Sequence, residues 1–194
     1  MSETVPPSFF EDLYARKRDP WDFETSAYEA AKYQDTVDTL PRTRYKQALE
    51  IGCSIGVLTA QLAGKCDSLL SIDLSERALA IARERCRDLP NVRFRRMMVP
   101  HEFPEGEFDL LVVSDVAYYW SEVDLGKSKA LIAGHHAGGG HLILVHWTPF
   151  VTEHVQTGDA VHETWLKDSR WRLVQGARRE KYRIDLLERV GEAG

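Results

Sequence analysis

Residues 48–56 read ALEIGCSIG, and this stretch decides the fold. A short, largely apolar run, Gln47–Ile51, ends at Gly52. A small polar interval leads to Gly56, and VLTAQLAGK continues with helical spacing until Gly64 stops it. An apolar run that turns through glycine into a helix is a strand, a tight turn and a helix.

The same alternation repeats downstream. SLLSID (68–73) is a second strand, and LSERALAIARERCRDL follows as a helix with Ser75 as its N-cap. Leu79, Ala82 and Cys86 share one face of that helix, and Pro90 lies just past its end. NVRFRRM alternates as a third strand. FDLLVVSD (108–115) and HLILVHW (141–147) are almost continuously apolar, as strands buried on both faces are. GKSKALIAGHH between them has helical character and is expected to stop at the glycines 138–140. Repeated βα units imply a parallel sheet with helices on both faces. The end of the chain departs from that rhythm. RWRLVQGARREKYRIDLLERV has no room for a crossover helix, so its two strands are expected to pair antiparallel around residues 176–181. The expected fold class is α/β: a doubly wound, Rossmann-like sheet of seven strands, mostly parallel, with a C-terminal antiparallel hairpin. A single domain over 1–194 is expected, with a helical cap or lid over 1–40 and the core over 45–190.

Composition limits the function. The 194 residues suit one domain, and 43% hydrophobic content supplies a sizeable core. The formal charge of -5 offers no global basic field for nucleic acid or an anionic membrane. RKR at 16–18 and RFRR at 93–96 read as isolated solvated faces. MSETVPPSFF lacks the pattern of a secretory signal, and no apolar run approaches the roughly 20 residues of a membrane span. Cys53, Cys66 and Cys86 are odd in number and form no CxxC pair, which suits a reducing cytoplasm. Seven histidines form no HExxH or Cys/His knuckle, so no metal site is expected.

Several ligands could ask for the glycine turn. A dinucleotide fingerprint needs G-x-G-x-x-G, but Gly52 is followed at the other two positions by Ser54 and Val57. GKS at 126–128 resembles the end of a phosphate-binding loop, yet the required earlier glycine is Ser121 and no strand leads into it. A plain βα turn is the remaining simple reading. Glu50-x-Gly52-x-x-x-Gly56 ends the first strand, however, and Asp73 ends the second. A carboxylate at the tip of the second strand can accept both hydroxyls of a ribose. Two glycines suffice to lay backbone against an amino-acid moiety. S-adenosylmethionine combines a ribose with an amino-acid tail.

With LEIGCSIG, SIDLS, FDLLVVSDVAYYW, GGGHLILVHW and the terminal hairpin in that order, residues 47–190 resemble the class I S-adenosylmethionine-dependent methyltransferases. DPWDFETSAYEAAKY (19–33), VAYYW and HWTPFVTEHVQTGDAVHE (146–163) are similar to one branch, the nodulation protein S-like N-methyltransferases. That branch methylates the free amine of a deacetylated chito-oligosaccharide, so the resemblance implies a small-molecule acceptor such as an amino sugar or oligosaccharide. It also implies roles for residues. Gly52, Cys53 and Gly56 would meet the methionine end of the cofactor, and Glu50 would orient the turn or meet the amino group. Asp73 would hold the ribose; its simpler role is that of an acid at the N-terminus of the next helix. Leu74 would pack under the adenine. Many members carry an acid after the third strand; here Met98 stands there, leaving adenine to backbone near Met98 and Val99.

On the acceptor side, Ser114 ends the fourth strand beside the cofactor. Asp115 would hold or deprotonate an amine, Tyr118 or Tyr119 would wall the methyl group, and His146 is an alternative base. The simpler reading makes Tyr119 and Trp120 core aromatics and His146 and His162 structural. Phe9, Phe10, Leu13 and Tyr14 have helical spacing, and Trp21, Tyr28 and Tyr33 follow. This segment would close over the cofactor with Trp21 and Tyr28, or else pack simply as helices on the sheet. Two rival functions stay open: a small-molecule O-methyltransferase, and a catalytically silent module that keeps the fold.

Overall fold

The structure is a computed structural model that describes residues 3–190. In chain order its elements are α1 (Pro7–Arg16), α2 (Ala27–Thr39), β1 (Tyr45–Ile51), α3 (Val57–Leu62), β2 (Cys66–Asp73), α4 (Glu76–Arg85) and β3 (Val92–Arg96). They continue with β4 (Phe108–Ser114), α5 (Glu122–Gly134), β5 (His136–Trp147), α6 (Gly158–Leu166), β6 (Trp171–Arg178) and β7 (Tyr182–Arg189). The seven strands are ordered β3-β2-β1-β4-β5-β7-β6. β1 with β2, β2 with β3 and β4 with β5 pair parallel, while β7 pairs antiparallel with both β5 and β6. The expected doubly wound sheet with its terminal hairpin is therefore present.

The chain divides into two compact units, Pro6–Met98 and the remaining described residues, 3–5 with 99–190. In the first, Leu49 and Ile51 of β1, Leu69 and Ile72 of β2, Leu62 of α3 and Leu79 and Ala82 of α4 are all buried. Ser26 caps α2 by accepting the Glu29 amide, and Ser75 caps α4 by accepting the Ala78 amide, each at 3.3 Å. Cys86 is buried as the sequence pattern requires, although α4 itself ends at Arg85.

In the second unit Leu110–Val113 of β4 and Leu142–Val145 of β5 have no solvent exposure. Burial on both faces is the reason those strands carry apolar residues without alternation. Both bounds of the helix expected over GKSKALIAGHH need correction here. α5 begins at Glu122 under a Ser121 cap rather than at Gly126, so the GKS at 126–128 lies mid-helix, in keeping with its rejection as a phosphate loop. The glycines 138–140 do not end α5; they belong to β5, which starts at His136. Phe108 pairs with His136 and Leu110 with His141, so β5 bulges through this stretch, with Gly139 at φ 72. A bulge consumes residues without advancing the ladder, and glycine accepts its left-handed backbone. No helix among the described residues is long and apolar enough to cross a membrane.

Candidate functional site

The turn after β1 is tightly wound. Gly52, Ser54 and Gly56 have φ values of 80, 50 and 78, all in the left-handed region. The amides of Gly52 and Cys53 both donate to the Ile72 carbonyl of β2, at 2.8 and 3.0 Å. Ser54, the one residue of the three with a side chain, is held by its amide, which donates to Asp73 Oδ2 at 2.8 Å. Gly56 opens α3, and a Cβ there would lie 3.0 Å from the Ala82 Cβ and 3.1 Å from its Cα. Close approach of α4 is thus the reason for the second glycine.

Two acids stand at the strand tips beside this turn. Glu50 is only 2% exposed, and its Oε2 accepts the hydroxyls of Thr59 at 2.6 Å and Ser71 at 2.7 Å. Burial pushes its carboxyl up to about 7, against the two hydroxyl bonds, and the charge of Asp73 adds to the rise. Glu50 therefore braces the turn against α3 and β2. Asp73 accepts the amide of Ser54 on one oxygen and that of Ser75, at 2.9 Å, on the other. Burial raises its pKa, and the amide bonds oppose that rise. Asp73 is thus both the acid at the tip of β2 and the acid at the start of α4. Two carboxyl groups at neighbouring strand tips suit hydroxyl donors and one cationic group. Leu74 is half-buried, with its carbonyl accepting Arg96 Nε at 3.1 Å. Beyond β3 the Met97 amide donates to the Asp73 carbonyl at 3.0 Å, and Met98 follows, partly buried.

The N-terminal helices pack on this same turn. Tyr14 and Ser54 share a hydroxyl–hydroxyl hydrogen bond of 2.5 Å, a contact the sequence did not disclose. Tyr14, Ile55 and Ala78 form a buried cluster joined by Phe10, Trp21 and Phe23. Trp21 meets Tyr14 edge-on at 5.8 Å and stacks on Phe23 at 5.5 Å. Glu11 of α1 accepts the Glu76 amide at 3.0 Å, placing an acid at the N-terminus of α4. On α2, Lys32 is 1% exposed, 2.8 Å from Glu29, with its ammonium 5.6 Å from the Tyr28 ring centre. Trp21 is therefore gathered to the turn, and Tyr28 flanks a buried ion pair that sequence reasoning did not anticipate.

In the second unit, Ser114 ends β4, and Asp115 follows with φ 51. The Asp115 amide donates to the Val145 carbonyl at 2.8 Å. Its Oδ1 accepts the Trp147 amide at 2.8 Å and the Tyr118 hydroxyl at 3.2 Å. Strained backbone held by that many bonds is typical of a functional position. Tyr118 stacks on His154 with ring centres 3.7 Å apart and meets Tyr119 edge-on at 4.8 Å. His154 was not singled out in the sequence; it lies in the connection between β5 and α6, where no periodicity announces a contact. Burial lowers the pKa of His154 and raises that of Tyr119. Trp120 is buried, in line with its simpler reading as a core aromatic. Val99 is buried as well.

His146 is set deeper than the acceptor-side groups. It has no solvent exposure, and both ring nitrogens are engaged within the protein. Nε2 lies 3.2 Å from the Ala117 amide and Nδ1 lies 3.1 Å from His162 Nε2. A base needs an available lone pair that reaches the reacting proton. The arrangement leaves Asp115, Tyr118 and His154 together, with His146 behind them.

Among the described residues no group of three or more His, Cys, Asp or Glu side chains could hold a metal ion. A family model described as Nodulation protein S (NodS) matches residues 10–132. Nodulation protein S of Sinorhizobium fredii (strain NBRC 101917 / NGR234) is 32% identical over 106 residues, covering 54% of this chain and 49% of that protein. Its counterpart from Rhizobium tropici is 29% identical over 127 residues, covering 64% and 53%. The chain thus spans about half the length of the curated relatives it matches. The crystal structure of N-methyltransferase NodS from Bradyrhizobium japonicum WM9 in complex with S-adenosyl-L-homocysteine superposes with a TM-score of 0.81 at 21% identity, covering 94% of this chain and 97% of that one. The family match takes in the glycine turn, both strand-tip acids and the Asp115–Tyr119 loop; this chain belongs to the Nodulation protein S (NodS) family.

Proposed function

We propose that this protein is an S-adenosylmethionine-dependent methyltransferase that methylates an amine of a small molecule, such as an amino sugar or oligosaccharide. The observation that carries the reading is the Glu50–Asp73 acid pair beside the left-handed Gly52–Gly56 turn, in a chain of the NodS family. When bound, the cofactor would supply an electrophilic methyl group on a sulfonium. Gly52, Cys53 and Gly56 would lie against its methionine end, with Glu50 meeting the ammonium. Asp73 would accept the ribose hydroxyls, Leu74 would pack on the adenine, and backbone at Met98 and Val99 would meet the adenine edge. Ser114 would complete the contacts.

Methyl transfer to nitrogen is a displacement that needs alignment and a neutral amine. Asp115, oriented by Tyr118 and the Trp147 amide, would hold the amine and take its proton, while Tyr118 walls the acceptor. The segment through Leu40 would act as a lid that carries Trp21 and Tyr28, supported by the packing of Tyr14 and Trp21 on Ile55. Three buried free cysteines fit a reducing cytoplasm.

Calorimetric titration with S-adenosylmethionine tests the cofactor assignment, with saturable heat expected. No heat at millimolar cofactor would overturn it and leave a silent methyltransferase-like module. A screen of amines against phenols then tests N-transfer against O-transfer; methylation of phenols alone would overturn the amine acceptor.

A further inference from the structure

His146, His162 and Asp185 form an unbroken hydrogen-bonded line whose proton order is dictated by one end. The Ala117 amide can only donate, so His146 Nε2, 3.2 Å away, must accept. The proton of neutral His146 then sits on Nδ1 and points at His162 Nε2, 3.1 Å away. His162 must therefore carry its proton on Nδ1, which faces Asp185 Oδ2 at 2.7 Å. The same carboxylate oxygen accepts Arg183 Nε at 2.9 Å. His146 and His162 have no exposure and Asp185 has 2%, so the line is sealed from water.

Three polar side chains buried in one row are costly compared with apolar residues of equal size. The packing around them is also committed to the row. A Cβ at Gly158, where α6 begins, would lie 2.3 Å from the Trp147 carbonyl and 3.0 Å from the His146 Cβ. A Cβ at Gly176 on β6 would lie 2.6 Å from Asp185 Oδ1. All three relay residues lie beyond the stretch matched by the family model, which ends at residue 132.

The row ends on the loop that carries the acceptor groups. Ala117 is two residues after Asp115 and one before Tyr118, at the start of a single-turn 3-10 helix. We infer that His146, His162 and Asp185 are positioning residues that anchor the Ala117 amide and so set Asp115 and Tyr118 for the methyl acceptor, without touching reactants. The catalytic consequence rests on the methyltransferase reading; the anchoring does not.

The test compares His146→Gln with His146→Leu in the full chain. Glutamine can accept from Ala117 through its amide oxygen and donate to His162 through its amide nitrogen, but it cannot take up a proton. Leucine keeps comparable volume and neither bond. In His146→Leu the Ala117 amide should exchange with solvent about tenfold faster or more, and turnover should fall about tenfold or more. In His146→Gln both should stay within about threefold of wild type. Nitrogen NMR of the wild type should show both histidines neutral, with the proton on Nδ1.

Turnover in His146→Gln as low as in His146→Leu, with Ala117 still protected, would overturn the inference in favour of a base. Unchanged exchange and turnover in His146→Leu would overturn it as well. If the leucine variant fails to fold, an Nε2-protonated His146 in the wild-type spectrum overturns it. A wild type that methylates nothing, yet shows the expected exchange and tautomers, refutes the methyltransferase reading and upholds the anchor.

Discussion

The Ser54 amide donates to the Asp73 carboxylate at 2.8 Å, tying together residues 19 apart in sequence. This bond links the glycine turn to the tip of β2, so the acid shapes the turn in addition to the cofactor-binding role proposed for it. Its two functions separate by substitution. Asp73→Asn keeps an acceptor for Ser54 while removing the charge. Asp73→Ala removes both. Each charge-assisted hydrogen bond lost to a ribose is worth about 1.5–3 kcal/mol. Both variants should weaken S-adenosylmethionine binding about tenfold or more in calorimetry, and the alanine variant alone should also lower Tm. A dissociation constant changed less than about fivefold in both would remove Asp73 from the cofactor site.

The proposed role of Glu50 would make cofactor binding proton-linked. Burial places its carboxyl at about 7, so much of it is protonated at neutral pH. An ammonium brought beside it lowers that value, and the proton leaves. Binding near pH 7 should therefore release protons, read as a heat that changes with the ionisation enthalpy of the buffer. Glu50→Gln should abolish that buffer dependence. The sign for stability runs opposite to that of an ordinary surface acid. The folded state holds an extra proton between 4.5 and about 7, so this contribution is full below 4.5 and is lost as pH rises through about 7.

The buried histidine relay predicts acid sensitivity. His162 is held below its ordinary 6.5 chiefly by burial, against the pull of Asp185 and Asp159 and with the push of Arg183. Below 6.5 the unfolded chain takes a proton that the folded chain refuses, so stability falls as pH drops. Tm measured from pH 7.5 down to pH 5 should decline, and His162→Gln should flatten that decline. An equally steep slope in the variant would assign the acid sensitivity to other groups.

Gly56 should tolerate no side chain. Alanine there would meet the Ala82 Cβ at 3.0 Å while held at φ 78. Overpacking and left-handed strain each cost about 1–3 kcal/mol. For a chain of this size that lowers Tm by roughly 2–4 °C per kcal/mol, measurable by scanning calorimetry. Ala82→Gly in the same background should restore part of the loss, because it relieves the contact and leaves the φ strain.

The lid reading predicts protection. Cleavage near RKRDP (16–20) should slow when S-adenosylmethionine saturates the protein, as a segment that samples open states is ordered. Tyr14→Phe, which deletes the hydrogen bond to Ser54, should speed cleavage in the unliganded protein. Identical rates with and without cofactor would make α1 and α2 permanent packing.

Local chemistry carried much of this protein into its sequence. Glycines 52 and 56, Ser75 as a cap, the unbroken apolar runs at 110–113 and 142–145, and the helix-free C-terminus each signal their structure within a few neighbouring residues. The seven strands and the hairpin could be read for that reason, as could the acids at the ends of β1 and β2. What tertiary structure decided was which long-range partners those residues meet. The Gly138–Gly140 bulge depends on the ladder with β4, and a glycine run reads equally well as a helix stop. Tyr14 reaches Ser54 from 40 residues away, and His154 stacks on Tyr118 from a connection with no periodicity. His146 looks like a base at a strand end, because its position in the sequence says nothing of His162 or Asp185. Periodicity records which face of an element is buried. It does not record which polar group on another element will consume a lone pair, and that pairing separates a proton acceptor from an anchor.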